Sequence, residues 1–354
     1  MILKQKLLNL FKSTYVVLRS IIAIVIPLLL VFGCVITRYV ENVWSLIFSV
    51  VLPVLVVLNG FLFVVFILLK SKRAFFLGFA LVLYSCTHVF FFKYNFDNQS
   101  IETENLSVLT YNVRGGGGAG HTSDRTQMKP RIKALTNFIN NQDADVVLFQ
   151  ESWSVRKNSF ENYPYVFVGK RRGISKSLQV ILSKFPIVHT GYIDFPNTAN
   201  NAMFADIQYN DVLIRIYNVH LQSFSMEVDS KFFTKKSLES VYPKINVAQK
   251  MKSAQTQLLL ENIKGFQGRH IVAGDFNTTP FSKTYHSISQ GRQDTFLEKG
   301  SGLGGTYHLL GYPMRLDYVL PDNSFQIVAH ENFNLKWSDH EPILVQLTVN
   351  KSSN

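Results

Sequence analysis

Charge is scarce in this chain, and acidic residues are almost missing from its first quarter. Only 17% of the 354 residues are charged, where a soluble domain usually carries about a quarter. Up to Lys93 there is one acid, Glu41, against nine Lys and Arg. Cysteine is nearly absent too: Cys34 and Cys86 both lie in apolar runs, and none follows. The rest of the chain therefore has no disulfide framework, which suits export without requiring it. Glycine and proline are ordinary in number and aromatic residues make up 13%, which excludes collagen-like, low-complexity and disordered classes.

What is present first is a set of long apolar runs. Ser20–Thr37 (18 residues), Val43–Leu69 (27) and Ala74–Phe92 (19) contain no Lys, Arg, Asp or Glu. At about 1.5 Å per helical residue they reach roughly 27, 40 and 28 Å, against a hydrocarbon core of about 30 Å. Residues 1–95 thus read as a membrane anchor of three transmembrane helices, at about 20–37, 43–69 and 74–92. A cleaved signal peptide fits less well, because no small-x-small site follows the first run and two more runs come after it. Pro53 and Asn59 in the middle run predict a kink or a helix–helix contact. Lys4, Lys6, Lys12 and Arg19 precede the runs, and Lys70, Lys72 and Arg73 separate the last two. The positive-inside rule places both groups in the cytoplasm. Three crossings then put everything after about Lys93 on the outer face of the cytoplasmic (inner) membrane. A transporter is disfavoured by spans that carry no charge. Two thirds of the net charge of +12 sits in this apolar part. The other 261 residues hold 27 basic and 23 acidic side chains, so charge argues only weakly for a polyanion partner there.

A polar linker, 96–105, precedes a change of pattern across 106–350. Strands are expected at Leu106–Asn112, Asp145–Glu151, Leu178–Leu182, Ala202–Gln208, Val212–His220, His270–Gly274, Asp317–Leu320 and Ile343–Val349. Helices are expected at Met128–Asn141, where Ile132, Leu135, Phe138 and Ile139 follow helical spacing, and at Ile245–Ile263. The order predicts one α/β domain, a four-layer sandwich of two packed, mainly antiparallel sheets flanked by helices.

Several of these apolar strands end on a side chain able to bind metal or move a proton: Asn112, Glu151, His220, Asp275 with Asn277, and Asp339-His340. Strand ends gather at one edge of a sheet, where open α/β proteins place their ligands. Carboxylates at the ends of buried strands are costly unless paired or bound to a cation.

Six blocks carry a family resemblance: Tyr111-Asn112-Val113, Phe149-Gln150-Glu151, Asn218-Val219-His220-Leu221, Gly274-Asp275-Phe276-Asn277, Arg315-Leu316-Asp317-Tyr318 and Ser338-Asp339-His340. In that order they resemble the endonuclease/exonuclease/phosphatase superfamily, over about Leu106–Val349, with an anchor similar to its membrane-tethered bacterial members. The resemblance implies the deoxyribonuclease-I-like sandwich and hydrolysis of a phosphate ester by in-line attack of water. It also implies Mg²⁺ or Mn²⁺, hard cations that suit carboxylate and amide oxygens. Within it, Glu151 is the principal metal carboxylate, Asn112 an amide ligand or water positioner, and Asp339 further metal or outer-shell acidity. Asp275 orients or deprotonates the water, and Asn277 holds a non-bridging phosphate oxygen. His340 contacts the phosphate or serves as a base, Asp317 fixes its tautomer, and His220 donates to phosphate or acts as general acid.

Each residue also has a plainer reading. Asn112 fits a turn, Glu151 a cap, Asp275–Asn277 an Asx turn before Pro280, His220 a core histidine, and Asp317 an ion pair with Arg315. Asp339-His340 fits a strand cap. The Gly115–Gly118 run is no P-loop, since no Lys-Ser/Thr follows. It reads as a flexible loop with His121 at its rim, open to a substrate contact. Lys170-Arg171-Arg172 reads as a solvated loop or a phosphate contact. Residues 222–242, with Phe224, Met226, Phe232, Phe233, Lys231, Lys235 and Lys236, read as a helix with a buried aromatic face, or as a lid or membrane-surface contact.

The expected partners are a phosphate-ester substrate, either nucleic acid or a phospholipid head group, and the bilayer; no protein partner is expected. Nuclease-like activity is slightly favoured, with a sphingomyelinase-type phosphodiesterase as the alternative. A DNA-repair role is disfavoured by export. The inositol-polyphosphate 5-phosphatase pattern is broken, because the Asp275–Asn277 segment lacks its Trp and Arg. From another class, a catalytically silent tethered scaffold would fit the loss of Glu151, Asp275 or His340, and all three are present.

Overall fold

A computed structural model describes residues 2–95, 105–116, 125–152, 160–169, 178–224, 235–335 and 337–349. The linker at 96–104, Gly117 and Gly118, His121, Lys170–Arg172 and 225–234, with Met226 and the Phe232-Phe233 pair, lie outside the described residues. The chain divides into two compact units: Met1–Phe90 with Phe281–Lys283, and Phe91–Pro280 with Thr284–Asn354.

The first unit is built from three helices, α1 (Ile2–Tyr39), α2 (Val43–Leu68) and α3 (Ala74–Thr87). Two stretches are long and apolar enough to cross a membrane, Ser13–Tyr39 and Val43–Leu68; the first lies near the N-terminus, where a signal sequence would pass the same test of length and hydropathy. The expected third span is not supported by helix length. Helix α3 has 14 residues, about 21 Å at the helical rise and short of a core of about 30 Å. The apolar run continues to Phe92, but the backbone turns extended at His88. There the His88 ring bonds the hydroxyls of Thr87 and Thr37 at 2.8 and 3.0 Å. A capping box between Asn42 and Ser45 opens α2. Asn59 is fully buried and donates its amide to the carbonyls of Leu55 (2.8 Å) and Ile26 (3.5 Å). It supplies the helix–helix contact expected of it.

The second unit runs β1 (Leu106–Asn112), α4 (Arg125–Gln142), β2 (Val146–Gln150), β3 (Tyr165–Val168), β4 (Val180–Ser183), β5 (Ile187–Ile193), β6 (Asn201–Tyr209), β7 (Val212–His220), α5 (Lys235–Lys264) and β8 (Arg269–Asp275). It continues with α6 (Lys283–Ser289), α7 (Thr295–Lys299), β9 (Tyr307–Leu309), β10 (Tyr312–Met314), β11 (Asp317–Pro321), β12 (Phe325–Asn332) and β13 (Ile343–Val349). One sheet has the order β12-β13-β1-β2-β4-β3 and the other β11-β8-β7-β6-β5; β9 and β10 form a separate hairpin. Among the described strands, only β1 with β2 and β7 with β8 pair in parallel, so the sheets are mainly antiparallel as expected.

Period-two alternation decides which core each side chain enters. From β1, Leu106 and Val108 join Ile181, Met203, Ile216, Ile271 and Val345 in a core between the sheets. Leu109 and Tyr111 face the other way and pack with Leu135 and Ile139 of α4. On the second sheet Tyr217 donates its hydroxyl to Asn262 of α5 at 3.1 Å. The result is two sheets flanked by helices.

Candidate active site

The second sheet lines up three site residues in one row. His220, at the end of β7, is the register partner of Asp275 at the end of β8, and Asp275 is the partner of Asp317 at the start of β11. In the first sheet Asn112 is paired with Gln150, and Glu151 follows directly. Behind the row, fully buried amides tie the sheets together. Gln150 donates to Asn218 at 2.8 Å, and Asn218 donates to the carbonyls of Phe149 and Val180 at 3.0 and 3.1 Å. A buried polar group left without such partners costs about 1–3 kcal/mol, so this network fixes the strand ends in relation to each other.

Asp275 is the hub. One carboxylate oxygen accepts the Asn277 N–H at 2.7 Å. The other accepts the side-chain amides of Asn277 (3.0 Å) and Asn112 (2.9 Å). The Asn112 amide also reaches Glu151 at 3.3 Å, while its oxygen accepts the Arg114 N–H at 3.0 Å. As placed, Asn112 holds two acids through its nitrogen rather than presenting an oxygen ligand. The site is built on unusual backbone: Glu151, Asn277 and Arg114 have φ of 52°, 49° and 39°, a left-handed region that non-glycine residues enter at a cost. Gly274, just before Asp275, has φ 130°, and a Cβ there would lie 2.1 Å from the Val219 carbonyl oxygen. Only glycine lets β7 and β8 approach so closely at this point.

His340 and Asp317 form a buried pair, Nδ1 to Oδ2 at 2.8 Å. Burial alone would lower the pKa of His340, but Asp317 and then Asp275 outweigh it and raise it, which favours the imidazolium. Burial raises the Asp317 carboxyl, opposed by the His340 charge. The plainer reading of Asp317 fails: Arg315 is bound instead to Asp294 at 2.6 Å.

His220 Nε2 lies 3.6 Å from Glu151 and 3.7 Å from Asp275. Neither His220 nitrogen, nor Asp317 Oδ1, has a hydrogen-bond partner among the described residues, although all three are buried. Ligand atoms of Asp275, Asp317 and His340 lie within 4.8 Å of one another. Orphaned buried atoms beside clustered carboxylates and imidazoles are what a divalent cation and an anionic substrate would satisfy, so the donor set fits a hard metal ion.

Asp339 sits further out. It is ion-paired with Arg114 at 2.9 Å and about a quarter exposed, and Ser338 donates to the Asn112 carbonyl at 2.8 Å. Sequence reasoning gave no role to Arg114, Ser338, Gln150, Asn218 or Tyr307, whose ring centroid lies 5.1 Å from that of His340. Gln150 and Asn218 already stood inside the motif blocks. Tyr307 lies on a three-residue strand that leaves no periodic signal.

The fold and this cluster define a class: an α/β sandwich that gathers acids and imidazoles at the ends of its two sheets. The chain belongs to the Endonuclease/Exonuclease/phosphatase family, whose model matches residues 109–340. Members of that family are divalent-metal-dependent phosphoesterase hydrolases. The fold is similar to that of an endonuclease/exonuclease/phosphatase from Beutenbergia cavernae, at 16% identity, 70% of this chain, 72% of that chain and a TM-score of 0.52. It is similar as well to a mannosyl-6-phosphatase from Bacteroides thetaiotaomicron, at 20% identity, 69% of this chain, 99% of that chain and a TM-score of 0.51. Humanized D. rerio TDP2 matches at 17% identity over 70% of this chain and all of that one, with a TM-score of 0.50. At these identities the likeness is one of fold. No curated protein sequence matches the chain.

Proposed function

We propose that the chain is a Mg²⁺- or Mn²⁺-dependent phosphoesterase that hydrolyses phosphodiesters, nucleic acid first among them, by in-line attack of water. The observation that carries this reading is the convergence of Glu151, His220, Asp275 with Asn277, Asp317 and His340 from five separate strand ends and turns. Glu151 would hold the cation, with Asp339 further out, and Asn112 would position Glu151 and Asp275 beside it through its amide nitrogen. A cation bound there would supply charge neutralisation for the phosphoryl oxygens and for the leaving oxygen. Asp275, accepting from both asparagine amides, orients the water and takes its proton. The Asn277 amide turns to a non-bridging oxygen. His340, kept charged by Asp317, binds the phosphoryl group. His220, with both nitrogens uncommitted, donates to phosphate or to the departing oxygen.

The substrate class is set by experiment. The full chain in detergent is offered DNA, RNA, sphingomyelin and other phospholipids, inositol phosphates, sugar monophosphates and bis-p-nitrophenyl phosphate. Turnover on nucleic acid and the nitrophenyl diester is expected. A preference for phospholipid would favour the sphingomyelinase-type alternative, and a preference for sugar monophosphates would place it with the named activity of its Bacteroides structural neighbour. No turnover at all would favour the silent scaffold.

Membrane attachment is proposed through α1 and α2 on their length and composition. The face on which the second unit lies depends on whether the apolar run 74–92 also crosses. Alkaline phosphatase fused after Asn98 reads this directly. An active fusion gives the outer face expected from the Lys and Arg bias; a silent one gives two crossings and a cytoplasmic domain.

A further inference from the structure

We propose that Lys252 of α5 is a positioning residue for the hydrolysis, acting through Asn277. This rests on the phosphoesterase reading above. Lys252 is 1% exposed, an expensive place for an ammonium group unless it has definite work. Its Nζ donates to the Asn277 backbone carbonyl and stands 4.4 Å from the centre of the Phe224 ring, a favourable cation–π distance. Asn277 is the residue that needs holding. It sits at φ 49° and its N–H is committed to Asp275 at 2.7 Å. Its amide is shared between Asp275 and the Leu221 carbonyl, at 3.0 Å each. With the carbonyl clamped from α5, the strained turn is held in place, and the amide is kept at the site edge beside Asp275, from where it can swing to a non-bridging phosphate oxygen.

The neighbouring contacts extend the argument. One turn further along α5, on the same face, Gln255 accepts the Gln222 N–H at 2.7 Å, and the Leu221 N–H is bound to the Asp275 carbonyl at 3.0 Å. A single helix face therefore secures both exits, the loop after His220 and the turn after Asp275. Lys252 supplies the charged member of that pair of clamps.

The test is a double-mutant cycle on the full chain in detergent, with bis-p-nitrophenyl phosphate and Mn²⁺. K252M keeps the stem and removes the donor. It is expected to lower kcat by about 10–100-fold, the range for supporting residues around a metal site, with a much smaller change in KM. K252R is expected to recover part of the loss. N277A is expected to lower kcat at least as far, and K252M added to N277A should cost nothing more, because the residue Lys252 acts through is already gone. Wild-type kcat in K252M, or losses that multiply in the double variant, would overturn the proposal while leaving the phosphoesterase reading intact. An inactive wild type would overturn both. If K252M does not fold, the same cycle run with K252Q, which keeps a polar side chain but removes the charge, decides the matter by the same criterion.

Discussion

Glu151→Gln is expected to lower kcat by about a thousandfold or more while leaving the thermal midpoint unchanged. The substitution keeps shape and polarity and removes one negative charge. A thousandfold loss corresponds to about 4 kcal/mol of transition-state stabilisation, a reasonable share for the main carboxylate beside a cation that neutralises a phosphoryl group. The fold should tolerate the change, because the side chain is about one-third exposed and its packing is not altered. Circular dichroism and steady-state kinetics on the same preparation separate the two effects. A variant with more than a tenth of wild-type turnover would remove Glu151 from the metal site.

His340→Ala is expected to cost about 10²–10⁴ in kcat, the usual range for a positioned proton donor or acceptor. The pH profile makes the more specific statement. His340 has a raised pKa, so its charged form is present at and below neutral pH and disappears as pH rises through the raised value. Wild-type turnover should therefore hold through neutrality and fall on the alkaline side. Asp317→Asn removes the carboxylate that raises that pKa and leaves burial, which lowers it. The alkaline fall should then move toward neutral pH. A limb that stays put in Asp317→Asn would mean that another group limits the rate, and that the 2.8 Å pair orients the ring without setting its charge.

How much of this was legible in the sequence follows from burial. Leu106–Asn112, Val212–His220 and Ile343–Val349 have the expected bounds to the residue, because each is a central strand covered on both sides and closed by a polar residue or by a change of pattern. The strands without a sequence signal are exposed margin strands and very short ones: β3 and β5 lie at sheet margins with exposed positions, and β9 and β10 have three residues each, whereas the buried margin strand β11 is legible. β12, a margin strand interrupted by a register shift between Ile327 and Ala329, loses the clean alternation that marks the central ones. Helix α5 begins ten residues before the expected Ile245, since Pro243 is accommodated within it rather than ending it. The apolar run 74–92 is longer than helix α3 because a run of this kind records composition, whereas the backbone turns extended at His88.

The site divides along the same line. Residues at the ends of apolar strands stood out in the sequence because a polar group there is costly without a purpose. Lys252 did not, because a lysine in an amphipathic helix next to Lys250 looks like part of a solvated face, and its burial depends on loops brought in from other strands. Arg114 and Ser338 owe their positions to contacts across more than two hundred residues, which no local pattern records.

The most direct measurement of the shared-cation claim is Mn²⁺ binding by electron paramagnetic resonance on the full chain stripped with EDTA, followed in parallel with hydrolysis of the nitrophenyl diester. Stripped protein should be inactive, activity should return in step with bound Mn²⁺, and Glu151→Gln should bind the ion far more weakly. Full turnover after EDTA, or equal Mn²⁺ affinity in wild type and Glu151→Gln, would contradict the account.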